Sequence, residues 1–262
     1  MSFTFTRARV FSIILLAGLS ASACAIPPAT PARPTHSAVT PVARADAEWQ
    51  KRHESFNARA LVGSERGDIG VLFIGDSITQ GWGDAGKSVW ERHYAPRRAV
   101  NFGIGGDRTQ HVLWRLEHGN LAGLARPTAA GARAPKLAVV MIGTNNSNGD
   151  DNTAEEIADG ITAIVALLRA ELPQTKVLLL AIFPRGEAPN PQREKNRLAS
   201  ARAAKIADGV HVHALDIGAH FLDKDAGILA KEIMPDALHL STRGYEIWAA
   251  AMEPKLRELL AE

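Results

Sequence analysis

The sequence predicts an α/β protein built as a three-layer α/β/α sandwich around a parallel five-stranded sheet. The apolar runs that suit strands are short and continuous, which is typical of a parallel sheet buried on both faces. Longer segments with helical spacing separate these runs, as in repeated βαβ units. The chain has 262 residues, 46% of them hydrophobic, and is therefore long enough to bury one such core.

The predicted elements alternate along the chain. The first is a helix over residues 46–62, with Asp46 placed to cap its first turn. The predicted strands are 71–74 (VLFI), 99–102 (AVNF), 137–142 (LAVVMI), 177–182 (VLLLAI) and 210–215 (VHVHAL). Further helices are predicted near residues 87–94, 109–117, 154–171, 192–207 and 242–260. Because ligands of such sheets bind beyond the carboxyl ends of the strands, the loops that follow the strands should hold any site.

The N-terminal part of the chain has a different composition. Residues 1–23 contain two arginines, then an apolar run and small residues, which is the layout of a secretory signal peptide. Residues 20–24 resemble a bacterial lipobox, in which Cys24 carries a lipid anchor; ordinary signal cleavage next to Cys24 is the alternative. Residues 24–45 contain five prolines and predict a disordered tether. One globular domain is therefore expected over residues 46–262.

Charge and cysteine content narrow the function further. The chain has 30 Lys and Arg against 28 Asp and Glu, and the charges balance once the two arginines of residues 1–23 are removed. This balance gives no reason to expect nucleic-acid binding. A single cysteine excludes an intramolecular disulfide. The sequence predicts an exported protein of the periplasm or cell envelope, tethered to the membrane if Cys24 is lipidated and otherwise secreted. It is also compatible with a homodimer.

The loops after the strands carry residues suited to nucleophilic catalysis. Ser77 follows the first strand, and Asp236 and His239 precede the last helix. A serine hydroxyl becomes a nucleophile when an imidazole takes its proton and a carboxylate orients that ring. Asp236 and His239 are three residues apart, so the acid can orient the base locally. The N–H of Ser77, a glycine of the pair 105–106 and an asparagine of the pair 145–146 can donate to an oxyanion.

Several sequence blocks support this interpretation as a set. From about residue 68 onwards the chain contains, in order, FIGDSITQGW, NFGIGGDRTQHVLWRLEHGNL, MIGTNN, PRGEAPNP and MPDALHL. In these blocks the chain resembles the SGNH (GDSL-type) hydrolase family, and within it the platelet-activating-factor acetylhydrolase group. The resemblance implies a flavodoxin-like strand order and neither metal nor cofactor. It also implies Ser77 as nucleophile, His239 as base, Asp236 as its partner, and Gly106 and Asn145 as oxyanion donors together with the N–H of Ser77.

The sequence therefore predicts a serine esterase that acts on short-chain acyl esters, in the first place acetyl esters, through an acyl-enzyme. Ile78, Thr144 and Leu238 each adjoin a predicted catalytic residue and are predicted to line a small acyl slot, with core packing as the alternative. Arg185, in the loop after the fourth strand, is a candidate contact for the alcohol part. The substrate is expected to be a small-molecule or glycan ester, and sugar and phospholipid esters both remain open.

Two other functions compete with the esterase. Residues 81–88 (GWGDAGKS) fit the pattern of a phosphate-binding loop, which would indicate a nucleotide-dependent phosphotransferase. The position argues against this, because a working phosphate loop follows its strand at once and residues 76–80 intervene here. A non-catalytic glycan- or lipid-binding module is the other alternative, and it would bind a ligand without turning it over.

Overall fold

The computed structural model describes residues 1–2, 35–126, 133–223 and 225–262. Cys24 and nearly all of the predicted signal peptide lie outside these ranges. Strands β1 to β5 are Val71–Gly75, Ala99–Gly103, Leu137–Met141, Lys176–Leu180 and Val212–Leu215. Helices α1 to α7 are Ala47–Arg66, Ser77–Gln80, Lys87–His93, Thr109–Arg115, Ala154–Glu171, Pro191–Ala203 and Thr242–Leu260. None of the described helices is long and apolar enough to cross a membrane.

The five strands form one parallel sheet in the order β2-β1-β3-β4-β5. This is the flavodoxin-like order that the resemblance implies. Every residue of β1 and β3 is buried, which explains why the sequence shows continuous apolar runs there. The order places β1 between β2 and β3, so the loops after these three strands meet at the point where the strand order reverses.

Alternate side chains of the strands face two helical layers. On one face, Leu72 and Val140 pack with buried residues of α1, α4, α5 and α6. On the other, Phe73 and Val139 pack with buried residues of α3 and α7. The predicted three-layer α/β/α sandwich is therefore confirmed.

Polar side chains fix where the long helices begin. Asp46 accepts the N–H of Trp49 at 2.8 Å and caps α1, as its position in the sequence predicts. Thr153 and Glu156 form a reciprocal capping box at α5, with distances of 3.2 and 3.0 Å. Ser241 caps α7, the helix that follows the loop of Asp236 and His239. Because α7 has this defined start, the preceding loop is held at a fixed place on the sheet edge.

Residues 35–45 differ from the prediction of a disordered tether. This segment, called the N-terminal strap below, packs against α4 and α5. Ala38 and Val39 are 0% and 3% exposed. Thr109 Oγ1 donates to Ala38 O at 2.8 Å, and the N–H of Val42 donates to a carbonyl of α4 at 3.3 Å. Proline-rich composition predicts an extended chain but does not show whether that chain packs against the domain. The folded domain therefore begins earlier than residue 46 and includes residues that were predicted to belong to the tether.

Candidate active site

Ser77 lies at the sharp turn from β1 to α2. The strand ends at Gly75, where a Cβ would overlap Thr79 Oγ1 and Met141 O, so only glycine fits. Asp76 then caps α2 by accepting the N–H of Ile78 at 3.0 Å. This geometry places Ser77 at the first position of α2, half-buried at the carboxyl edge of the sheet.

A serine, an imidazole and a carboxylate are in line at this edge. Ser77 Oγ lies 2.9 Å from His239 Nε2, and His239 Nδ1 lies 2.6 Å from Asp236 Oδ2. The other carboxylate oxygen of Asp236 accepts the N–H of Leu238 at 3.0 Å and of His239 at 2.7 Å. Ala237 has a left-handed φ of 57°, which an alanine rarely adopts and which tightens this turn.

The surroundings keep the Asp236 carboxyl ionised. Burial raises its pKa, but hydrogen bonds from the His239 ring and from the N–H groups of His239 and Leu238 outweigh burial and lower the pKa overall. The side chains of His239 and Asp236 are 47% and 55% exposed, so water reaches the imidazole. Chemically, this arrangement can move a proton between the hydroxyl and the ring and can stabilise an imidazolium.

The loops after β2 and β3 bring N–H groups next to Ser77. Gly105 adjoins the serine, since a Cβ built on it would lie 3.7 Å from Ser77 Cβ. Gly106 is exposed with a left-handed φ of 75°, and its N–H has no hydrogen-bond partner among the described residues. Asn145 Nδ2 donates to Asp107 O at 2.9 Å, which leaves its second amide hydrogen free of partners within the described ranges. The site therefore has N–H groups that can stabilise a developing negative charge.

Asn146 does not share the environment of Asn145. It is fully buried, and its Oδ1 accepts the N–H of Thr109 at 2.9 Å. Its Nδ2 donates to Thr109 Oγ1, Gln110 Oε1 and Asn152 Oδ1 at 3.0 to 3.1 Å. The amide is therefore saturated and ties α4 to the loop after β3. Only Asn145 retains a donor, which separates the two asparagines that spacing alone left equivalent.

The sequence comparison identifies the family. The model of the GDSL-like lipase/acylhydrolase family matches residues 73–247, which include all the loops described above. The chain belongs to this family.

A curated relative is similar to the chain in sequence, and two solved structures are similar to it in fold. The human platelet-activating factor acetylhydrolase IB subunit alpha1 is 40% identical over 227 residues, covering 85% of this chain and 90% of the relative. A GDSL-like lipase from Bacteroides thetaiotaomicron superposes with a TM-score of 0.62 at 19% identity, covering 79% and 97% of the two chains. An acetylxylan esterase from Geobacillus stearothermophilus superposes with a TM-score of 0.55 at 21% identity, covering 73% and 96%. The protein is a carboxylic ester hydrolase.

In this GDSL-like acylhydrolase, the predicted substrate contacts differ in exposure. Ile78 and Thr144 are each 1% exposed and offer almost no surface to a ligand, which agrees with the packing alternative. Ile78 lies in the hydrophobic cluster under α7, and Thr144 accepts hydrogen bonds from Arg185 at 3.1 and 3.2 Å. Leu238 and Arg185 are half-buried and keep some accessible surface at the edge of the site.

The GWGDAGKS segment, residues 81–88, does not form a phosphate-binding loop. The N–H groups of Asp84 and Gly86 both donate to Gly81 O, at 3.0 and 2.9 Å, and so are not available to phosphate oxygens. Both Gly81 and Gly86 lie against Tyr245 of α7, too close for a side chain. The glycines serve helix packing, and the phosphotransferase alternative has no support in this family.

A buried ion pair that sequence reasoning missed supports the loop after β2. Arg115 and Asp107 are both fully buried, with 2.9 Å between Arg115 Nε and Asp107 Oδ2. Arg115 Nη2 also donates to Gly75 O and Phe102 O near the ends of β1 and β2, at 3.1 and 2.7 Å. Asp107 Oδ1 accepts Trp49 Nε1 at 2.6 Å. The available signal was a charged residue on the apolar face of α4, which requires a buried partner.

The described residues show no set of ligands for a metal. No group of three or more His, Cys, Asp or Glu side chains among them is arranged to hold a metal ion. The titratable groups that are hydrogen-bonded to Ser77 are His239 and, through its ring, Asp236.

Proposed function

We propose that the protein is a serine esterase that hydrolyses short-chain acyl esters through an acyl-enzyme. The observation that carries the proposal is the continuous contact from Asp236 through His239 to Ser77, at 2.6 and 2.9 Å. Ser77 Oγ attacks the ester carbonyl carbon while its proton moves to His239 Nε2. Asp236 keeps the ring oriented and stabilises its positive charge.

The carbonyl oxygen becomes an oxyanion in this step. The N–H groups of Ser77 and Gly106 and the side-chain amide of Asn145 bind it, and each such donor is worth about 3 kcal/mol of transition-state stabilisation. When the tetrahedral intermediate collapses, the C–O bond to the alcohol breaks and the alcohol takes the proton from His239. A water molecule then attacks the acyl carbon and passes one proton to His239. When this second intermediate collapses, the bond from the acyl carbon to Ser77 Oγ breaks, Oγ takes the proton back from His239, and the carboxylic acid leaves.

The packing beside the nucleophile favours a short acyl group. Ile78 and Thr144 are buried next to the proposed catalytic residues, so a long acyl chain would have to displace packed side chains. Each methylene that does not fit typically costs about 1–3 kcal/mol. Arg185 is fixed at the same place by hydrogen bonds to Thr144 and Asn148 and is a candidate contact for the alcohol part. An acetyl group, with a single methyl on the carbonyl carbon, meets these limits.

Two kinds of acetyl ester fit the proposal. The human relative is named for an acetylhydrolase of platelet-activating factor, and the Geobacillus neighbour is an acetylxylan esterase. We favour an acetylated glycan or a related small-molecule ester, because the sequence also predicts export, and an exported enzyme meets cell-wall and environmental glycans. Export, lipid attachment at Cys24 and a homodimer belong to the same proposal and have support from the sequence alone.

A panel of p-nitrophenyl esters of increasing chain length tests the proposal. The wild-type protein should have its highest kcat/KM on the acetate ester, with a decline as methylenes are added. Ser77→Ala should lose about 1000-fold or more of the rate, because the nucleophile is absent. Lys87→Ala is the matched control for the phosphate-loop alternative and should keep wild-type activity. Equal acetate hydrolysis by wild type and Ser77→Ala would refute the esterase, and saturable binding without turnover would indicate the binding module.

A further inference from the structure

The N-terminal strap reaches the site through Arg44. Its target is the loop of residues 105–107, called the oxyanion loop below because it contains the proposed donor Gly106. Arg44 Nη1 donates to Gly105 O at 2.6 Å. A Cβ built on Gly106 would lie 2.9 Å from the same nitrogen, so the guanidinium lies directly against this glycine. The Arg44 side chain is only 29% exposed, which shields the contact from much of the solvent.

The Gly105 carbonyl and the Gly106 N–H belong to one peptide group. That group is planar and trans, so its C=O and N–H bonds point in opposite directions. A donor that fixes the direction of the carbonyl therefore fixes the direction of the N–H. A positively charged donor on the carbonyl also polarises the peptide and strengthens its N–H as a hydrogen-bond donor. Arg44 thus acts on both the aim and the strength of the proposed oxyanion donor.

The oxyanion loop has other anchors, but none of them bonds to this peptide. The N–H of Asp107 donates to Ile104 O at 3.1 Å and closes the turn around the two glycines, but it leaves the carbonyl of Gly105 and the N–H of Gly106 unbonded. The N–H of Gly105 donates to Gln80 Oε1 at 2.8 Å, which fixes the preceding peptide group. The Asp107 side chain is held by Arg115 and Trp49 on the following side. Among the described residues, Arg44 is the only donor to Gly105 O. With glycine at 105 and 106, the peptide between them would otherwise rotate at little energetic cost.

Arg44 is itself held in place before any substrate arrives. Its Nη2 pairs with Asp46 Oδ2 at 3.0 Å, and Gln50 Nε2 donates to its carbonyl oxygen at 2.6 Å. The carboxylate that caps α1 therefore also orients the guanidinium. A donor that is oriented in advance costs no reorganisation when charge develops on the substrate.

We propose that Arg44 is a positioning residue for ester hydrolysis, which orients and polarises the Gly105–Gly106 peptide as part of the oxyanion site. The inference rests on the proposed function, since it assigns no separate activity to the strap. It predicts that Arg44 matters when the carbonyl oxygen carries negative charge and matters little for binding of the neutral ester.

The test compares Arg44→Met, Arg44→Lys and His36→Ala. His36 is the matched control, because it contacts Asp159 of α5 at 3.2 Å from the other end of the strap. Each protein is assayed for kcat and KM on p-nitrophenyl acetate and for inhibition by a short alkyl trifluoromethyl ketone. The serine Oγ bonds to the carbonyl carbon of that ketone, its proton passes to His239, and the carbonyl electrons become an oxyanion.

Arg44→Met should lower kcat by about 10- to 100-fold, which is at most the effect of removing one oxyanion hydrogen-bond donor. Its KM should change less than about twofold. Its affinity for the ketone should fall by the same factor as kcat/KM. Arg44→Lys should recover part of both losses, because it keeps a charged donor. His36→Ala should match wild type in both assays, with thermal unfolding showing that every variant is folded.

Wild-type kcat and ketone affinity in Arg44→Met would overturn the inference. A fall in kcat without a parallel fall in ketone affinity would also overturn it, because the effect would then not act on the oxyanion. If Arg44→Met does not fold, Arg44→Gln, which offers one neutral donor, decides on the same two readouts. Failure of the proposed function can be distinguished from failure of this inference. The proposed function fails only if Ser77→Ala stays active, and that result does not depend on the Arg44 variants.

Discussion

Asp76, the residue before Ser77, is fully buried and has an unusual titration. Its Oδ1 accepts the N–H of Ile78, but its Oδ2 has no partner among the described residues. Burial raises its pKa to about 7, the hydrogen bond from Ile78 opposes the shift, and the nearby carboxylate of Asp107 adds to it. The folded protein therefore binds a proton at Asp76 more tightly than the unfolded chain, whose ordinary value is 3.8.

This sign makes Asp76 a source of instability at higher pH. Between the unfolded value and about 7, the folded state holds more protons than the unfolded state, so the free energy of unfolding falls as pH rises through this window. Asp76→Asn keeps the capping oxygen and cannot ionise. The difference in melting temperature between Asp76→Asn and wild type should therefore shift in favour of the variant by roughly 5 °C when the pH is raised from 5 to 8.

Thermal unfolding at the two pH values checks this prediction. Asp150→Asn is the control, because it removes an exposed carboxyl in the loop between β3 and α5. Its effect should be the same at both pH values. A pH-independent difference between Asp76→Asn and wild type would show that Asp76 does not titrate in this window.

Single residues also show what the sequence alone can and cannot predict. Ser77, Asp236 and His239 were predicted as one group because a strand end, a short acid–base spacing and the family blocks all point to them, and the structure places the three side chains in contact. Nothing local pairs Asp107 with Arg115, because their contact depends on how α4 lies against the sheet. The left-handed conformation of Ala237 could not be predicted either, because glycine is the residue that usually indicates a positive φ and this position holds alanine.

At the scale of elements, the turn between α2 and α3 links the segment of Ser77 to α7. Tyr245 of α7 donates its hydroxyl to Ile78 O at 2.7 Å, and a Cβ on Gly81 would overlap that hydroxyl. Trp82, fully buried beside it, packs its ring 4.5 Å from the Tyr245 ring. The close approach of the glycine thus lets a long helix bond to the residue next to Ser77.

Gly81→Ala should therefore destabilise the protein, while Gly83→Ala should not. The added methyl group at Gly81 must displace the Tyr245 hydroxyl, and overpacking of this kind typically costs about 1–3 kcal/mol. A Cβ at Gly83 meets nothing within 4 Å, so this substitution is the matched control in the same turn. Melting temperatures of the two variants check the prediction, and equal values would contradict the packing role of Gly81.

The long elements were predictable because their patterns are long. Short, mostly apolar runs predicted all five strands, although the fifth run (VHVHAL) alternates valine with histidine. Helical spacing predicted α5 and α7 with the ends that the structure shows. The single turn of α2 is too short to show a period. The N-terminal strap was missed because two small buried side chains, Ala38 and Val39, leave no pattern that differs from a disordered proline-rich segment.

At the scale of the whole molecule, the strand order decides the site. With β1 between β2 and β3, three loops from distant parts of the sequence meet at one edge of the sheet. The loop before α7, which carries Asp236 and His239, is the fourth segment at this edge. Periodicity predicts the strands but carries no information on their order. That order came from the family resemblance, which the comparisons support over most of the chain.

The location of the molecule is a separate prediction. If Cys24 carries a lipid, the wild-type protein should partition with membranes, and Cys24→Ser should be released to the soluble fraction because the thiol is the attachment atom. Cell fractionation followed by immunoblotting of the fractions measures this, and an esterase assay on the same fractions measures activity. Ser77→Ala is the control, since it should remain with the membranes while losing activity. Equal membrane partition of wild type and Cys24→Ser would exclude lipid attachment.

The packed strap has a practical consequence for protein production. A gene trimmed to begin at residue 46, where the composition first looks globular, would omit Arg44 and the buried Ala38, and the oxyanion loop would lose its hydrogen bond from the strap. A soluble version intended for assay or crystallisation should therefore start upstream of residue 35, with any purification tag attached on that side at a distance from the strap.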